Sequence, residues 1–254
     1  MADADEIWQS PFRPPEIYTV LAVDAMYFHA ARQAHAKGVA SMRRINRAQG
    51  RASRQQERID AWNRSFEEGL VDRFVHVEKV EPLAIQMDGL EHDLGAAHGI
   101  LLSNVGTVHI LSVAALEAHI NMRGEDFFAS GRLLEAFERL SLDAKWLLFP
   151  RLRGLTGFDT GSEPFQGFDR LIKFRNRLVH YKTRRELWHG GAAPPQFLLD
   201  LGLTIEASAQ SLAAVEGMTA ELARQLGESP PSWVDREDTN FFRLDLERSE
   251  RETP

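Results

Sequence analysis

The sequence predicts an all-α protein: a helical bundle with an additional N-terminal helical arm rich in arginine and a flexible C-terminal tail. Two observations carry this prediction. Apolar residues recur every three or four positions through successive long stretches, the spacing of amphipathic helices. Only Val71 to Val80 alternates apolar and polar residues as a strand does, and no partner strand is evident elsewhere. The expected organisation is an N-terminal helical region over 1–100, a helical bundle over 101–227 and a tail over 228–254.

Pro14-Pro15 and Glu16 open an apolar, aromatic-containing stretch that predicts a first helix to about Lys37, with Gly38 as its stop signal. Ala40 to Glu68 is polar but compatible with helix. Arg43, Arg47, Arg51, Arg54 and Arg58 fall three or four residues apart there and form one basic stripe. Val71 to Val80 reads as a short strand and Leu90 to Gly99 as a short helix. Ser103 to Met122 is the strongest apolar helix, with Val105, Val108, Ser112, Ala115, Leu116 and His119 on its inner arc. His119 on that arc reads as a satisfied core histidine, whereas Glu117 falls on the polar side near Asn121.

Glu125-Asp126 place acids ahead of a helix from about Asp126 to Phe149, which Pro150 ends. A Gly/Thr-rich loop spans Arg151 to Ser162, and Ser162 is the candidate N-cap of the next helix, with Pro164 in its first turn. After the Gly/Pro-rich stretch 190–195, helical spacing returns from Leu199 to Leu226 through Leu203, Ile205, Leu212, Val215, Met218 and Leu222. Glu228 to Pro254 is charged and contains prolines. It reads as a tail whose docking points are Phe241-Phe242, Leu244 and Leu246.

A chain of 254 residues, 43% hydrophobic, suffices for one good core with appendages. It has no cysteine, which excludes disulfides, thiolate metal sites and cysteine nucleophiles. No consecutive apolar run of about 18 residues and no signal-peptide pattern is evident, so a cytoplasmic protein without a membrane partner is expected. The net charge of −7 argues against nucleic-acid binding by the whole surface; any such binding must be local. Charge is in fact unevenly placed. From Arg32 to Arg64 nine basic residues face two acids, Glu57 and Asp60, and from Arg170 to Arg185 seven basic residues face none.

The second basic cluster surrounds Arg175-Asn176-Arg177-Leu178-Val179-His180. The Arg-x4-His spacing alone is weak evidence, since Arg184 and His189 repeat it in a segment that runs into glycine and proline. Context separates the two. Over Phe165 to Lys182, an advance of about 100° per residue gathers Phe165, Phe168, Leu171, Ile172, Phe174, Leu178 and Val179 on one arc. Arg175 projects near the middle of that arc, where a guanidinium needs a partner, water or ligand. Asn176 and His180 are i, i+4 neighbours on one flank of it. Alternatively, Arg175 pairs with an acid from another helix and His180 is a helix-end histidine favoured by the C-terminal dipole.

With Leu116-Glu117-Ala118-His119-Ile120-Asn121 on one helix, Lys145-Trp146 on the next and Phe174-Arg175-Asn176-Arg177-Leu178-Val179-His180-Tyr181-Lys182 on a later one, the chain from Asn104 to Leu226 resembles the HEPN superfamily. The resemblance implies an all-α bundle that pairs as a homodimer, and a metal-independent endoribonuclease acting as a toxin or antiviral effector. RNA would be the substrate, with an antitoxin or defence partner and with no cofactor or metal. It implies catalytic roles for Arg175, Asn176 and His180: His180 as general base or acid, Arg175 on the phosphate, Asn176 orienting either. Lys173, Arg177, Tyr181, Lys182 and Glu117 are the candidate substrate-binding residues. Some members instead bind RNA or a partner protein without cutting. One subgroup carries a tyrosine two residues after the histidine; here that position is Lys182, and Tyr181 stands one residue earlier.

Overall fold

The computed structural model describes residues 18–128, 131–182, 196–235 and 241–245. It is an all-α bundle from which a long two-helix arm projects. In chain order the elements are β1 (Tyr18–Leu21), α1 (Val23–Glu67), α2 (Arg73–Phe128), α3 (Arg132–Glu138), α4 (Leu142–Leu152), α5 (Phe165–Val179), α6 (Gln196–Asp200), α7 (Ile205–Leu226) and β2 (Phe242–Asp245).

Several expected boundaries are corrected. Gly38 does not stop the first helix, because α1 continues through it to Glu67. Its missing side chain serves packing instead: a Cβ there would meet Ile205 Cδ1 at 3.2 Å. The expected strand at Val71 to Val80 and the short helix at Leu90 to Gly99 are both parts of α2. Val71 and Val75 stand i, i+4 and so fit a helix as well as an alternating strand, Val77 falls on the exposed opposite side, and Asp72 decides for helix by capping: its Oδ1 accepts from Val75 N at 2.9 Å. The helix expected over Asp126 to Phe149 is broken at Gly131, which has φ +95°, and Pro150 lies inside α4 rather than ending it. Ser162 is not the N-cap of α5; Pro164 holds that position. The last core helix is interrupted at Gly202, φ +66°, and restarts with Thr204 as N-cap, its side chain accepting from Ala207 N at 3.1 Å.

The main core gathers Phe28 of α1, Leu116 and Ile120 of α2, Trp146 and Phe149 of α4, Phe168 and Leu171 of α5, and Met218 and Leu222 of α7, all essentially inaccessible. A smaller cluster of Ile45, Leu101 and Val105 closes the end of the bundle where the arm begins. Beyond it, only Gln55 on α1 and Leu83 on α2 are buried along the arm. Gln55 joins the two helices there, its Nε2 donating to the Leu83 carbonyl at 3.2 Å and to Gln86 Oε1 at 3.0 Å.

His119 is a core histidine, as its place on the inner arc predicts. Its Nδ1 lies 3.0 Å from Asp24 Oδ2, both side chains are 2% exposed, and its ring stacks on Trp146. Trp233 donates from Nε1 to the same Asp24 oxygen at 3.0 Å. The described part of the expected tail is therefore docked: Trp233 is buried against Phe28, Phe241 lies against His29, and β2 pairs antiparallel with β1, Leu21 opposite Phe242. Trp233 gains an acceptor and a core position together, which the charged composition of 228–254 hides. Leu246 lies outside the described residues.

Two stretches, Arg73–Phe128 and Gln196–Leu226, are long and apolar enough to cross a membrane by length and composition. Serines and glycines interrupt both stretches, so neither is a consecutive apolar run. Here both supply core faces of the bundle, and α2 buries His109, Ser112 and His119 among its apolar residues.

Candidate functional site

Helix α5 runs antiparallel to α2. Its start lies at the level of His119 and Trp146, with the Phe168 and Trp146 rings 6.1 Å apart. Its end lies at Gly106, where a Cβ would meet Leu178 Cδ1 at 3.9 Å. Phe165, Phe168 and Leu171 bury the first two turns as the apolar arc predicts. The last turn outruns its cover: Val179, on the same arc, is 53% exposed. The helix ends at Val179, and His180 is its C-cap, donating its backbone N–H to the Asn176 carbonyl at 3.0 Å.

Arg175 is half-buried, and its Nη1 donates to Asn176 Oδ1 at 2.9 Å. Among the described residues no carboxylate lies within 4 Å of it, so the alternative of an interhelix ion pair finds no support there. Asn176 and His180 are exposed neighbours on one flank, but no hydrogen bond joins their side chains.

Past the end of α5 a groove of about 310 Å³ opens between Arg177, His180, Tyr181 and Lys182 on one side and Phe197 and Asp200 of α6 on the other. Arg177 spans the junction, its Nη1 donating to the Asp200 carbonyl at 2.6 Å. The groove thus collects His180 with three of the expected binding residues. It does not collect the others. Lys173 lies on the outer face of α5 paired with Asp169. Glu117 is exposed on α2, eleven residues past the level of Leu178 and so about 16 Å along the axis from the groove end.

Sequence reasoning passed over the support behind the groove. His109 is fully buried, with Nε2 2.8 Å from the Gly202 carbonyl and Nδ1 2.7 Å from Ser211 Oγ. The carbonyl accepts only, so Nε2 carries the proton. Burial pushes the His109 pKa below its ordinary value, although the Gly202 carbonyl opposes this. Gly202 follows directly on the Asp200-Leu201 wall, and a Cβ there would stand 2.6 Å from the Phe174 ring. His109 and Phe174, ring centroids 5.2 Å apart, therefore brace the wall that Arg177 grips. The signal available in the sequence was the Asp200-Leu201-Gly202 break inside an apolar helical stretch.

The electrostatics are local. Among the described residues, Arg177, His180 and Lys182 face Asp200 alone as a carboxylate lining the groove, in a chain with net charge −7. Such an edge suits a phosphodiester: cations for the phosphate, a histidine within the same opening and an aromatic side chain beside it. Among the described residues no three His, Asp or Glu side chains converge to hold a metal ion. Comparison with family models, with curated proteins and with solved structures finds no match for this chain.

Proposed function

We propose that the protein is a HEPN-type endoribonuclease, cleaving RNA without a metal at a site completed when two copies set their α5 ends together in a homodimer. The observation that carries this reading is the last turn of α5. It leaves its cover and exposes His180 beside a cationic groove, with Arg175 and Asn176 on the adjoining face. Val179 and Tyr181, 53% and 44% exposed next to those groups, give a second copy an apolar surface to cover.

In the reaction, His180 takes the proton of a 2′-hydroxyl and the resulting oxygen attacks the adjacent phosphorus. The bond to the 5′ oxygen breaks, leaving a cyclic phosphate and a 5′-hydroxyl that receives a proton from the partner copy's equivalent histidine. Arg175 neutralises the charge that builds on the phosphate, while Asn176 holds the guanidinium in place. Arg177 and Lys182 bind flanking phosphates. A cytoplasmic setting, as a toxin or antiviral effector with an antitoxin or defence partner, belongs to the same reading.

A second reading, RNA or protein binding without cleavage, is favoured by the Arg175–Asn176 hydrogen bond, which engages both groups with each other rather than with His180. Incubating purified protein with single-stranded RNA in EDTA separates the two. The nuclease reading predicts cleavage that His180→Ala abolishes with its helical circular dichroism intact. Equal activity in the variant contradicts it. Binding without cleavage, weakened by Arg175→Ala, establishes the second.

A further inference from the structure

The arm carries a feature that the α5 site does not use. At about 100° per residue, Arg43, Arg47, Arg51, Arg54 and Arg58 project within an arc of about 80°, a straight row along one face of α1. Successive positions climb by roughly 4.5–6 Å. All five are exposed, and among the described residues no carboxylate lies within 4 Å of any of them. Like charges at i, i+4 weaken a helix. The row therefore weakens the arm slightly in isolation, and an anion laid along it relieves that repulsion. Glu57 and Asp60 share this part of the helix but project off the row, and the Asp60 carboxylate is occupied by Gln56 at 2.8 Å.

Two further observations give the anion its shape. Beside the row, a groove of about 680 Å³ runs between α1 and α2, where Arg51, Arg54 and Arg58 face Gln86 and His92, with Asp93 as its carboxylate. Gln55, buried beneath, fixes the helix spacing and accepts from Arg58 at 3.4 Å. Toward the tip, aromatic side chains succeed the arginines. Trp62 is half-buried, Phe66 is 40% exposed with its ring 4.7 Å from that of His76, and Phe74 is 80% exposed. A cationic track ending in open aromatic faces is the arrangement that holds unpaired nucleotides, because phosphates follow the cations and bases stack on the rings. An acidic protein partner would use the arginines but leave Phe74 without a role.

We propose that the arm is a binding surface for single-stranded nucleic acid, with the phosphate backbone along Arg43 to Arg58 and bases stacked at the Phe66 and Phe74 tip. It stands whether or not the α5 site cuts RNA.

The test uses the full chain and fluorescein-labelled oligo(dT) and oligo(U) of about 20 nucleotides, enough for one binding site. Oligo(dT) has no 2′-hydroxyl, so its binding is read independently of cleavage. Affinities are measured by anisotropy against KCl concentration. Wild type binds both. Replacing Arg47, Arg51, Arg54 and Arg58 together by Gln weakens binding at least about tenfold at low salt and flattens the log–log salt slope by about 0.7 per arginine. Phe74→Ala weakens binding several-fold at every salt concentration and leaves the slope unchanged. The proposal is overturned if wild type binds neither oligonucleotide, or if the quadruple variant keeps both affinity and slope. It is equally overturned if sedimentation shows that the quadruple variant loses self-association instead, which would make the row a contact with the acidic first half of a second copy's α2. Unchanged circular dichroism in both variants excludes loss of fold.

Discussion

The bundle and the arm are built from the same two long helices and solve opposite problems. In the bundle, α1 and α2 bury Phe28, Leu116 and Ile120 against α3, α4, α5 and α7, and the buried Asp24 is paired with His119 and Trp233. In the arm the same helices bury Gln55 and Leu83 and leave the rest half-buried or exposed, including a row of arginines with no carboxylate partner among the described residues. Buried apolar area stabilises a helix pair, and the arm has little of it. Its persistence as helix rests on continuity with segments clamped in the bundle. The proposed chemistry, which needs fixed geometry, is accordingly assigned to the bundle's edge, where α5 ends, and the proposed contact with an extended ligand to the arm.

Perturbing each region should give effects of different size and kind. The largest is expected at the α5 end: His180→Ala should reduce RNA cleavage by about 10²–10⁴-fold, the range for loss of a general acid–base group, read from gel-resolved initial rates. Next comes the core. Trp146→Ala should lower unfolding free energy by about 3–5 kcal/mol, whereas Ile85→Ala on the arm, 65% exposed, should change it by less than about 0.5 kcal/mol. Urea titrations of both variants measure this, and similar losses would erase the distinction between clamped and carried helix. Gly202→Ala should lower stability by about 1–3 kcal/mol, because it places a side chain at φ +66° against the Phe174 ring. It should also reduce cleavage, since the displaced wall is the one Arg177 grips.

The smallest effect is a pH dependence confined to the bundle. Burial holds His109 below its ordinary 6.5, so as pH falls through 6.5 the unfolded chain takes up a proton there that the native state refuses. Stability is lost over that window and levels off below the native pKa. Glu216 has the opposite sign: burial raises its pKa above 4.5, so the native state binds its proton first and gains stability as pH falls toward 4.5. His109→Gln should be less stable at neutral pH but flatter between about pH 7 and pH 5 than wild type, as followed by urea midpoints. An unchanged slope would remove His109 from this role.

The same contrast explains what was legible in the sequence. The apolar arc of α5 identified Phe165, Phe168 and Leu171 as buried, and the inner arc of α2 placed His119 in the core, because packing enforces the helical period there. The period is weak along the arm. Val71 to Val80 consequently passed for a strand although Asp72 caps a helix, and Gly38 passed for a stop although it makes room for Ile205. At the α5 end, motif and charge point to His180, Arg177 and Lys182, which line one groove in the structure. Asp200 and the His109 brace lie outside that motif and charge cluster, and the one sequence signal for them is the Gly202 break within an otherwise helical apolar pattern. Trp233 was missed because its acceptor, Asp24, lies 209 residues away.

The division of labour is tested most directly by single-turnover cleavage of a labelled single-stranded RNA in EDTA, with protein in excess and varied. Wild type, His180→Ala and the quadruple arginine-to-glutamine variant are compared side by side. The rate at saturating protein should collapse in His180→Ala. In the arm variant that rate should be kept, with the protein concentration for half-maximal rate raised about tenfold. A His180→Ala protein that cuts as fast as wild type would contradict the placement of chemistry at the end of α5, and an arm variant that loses the saturated rate would contradict its separation from the arm.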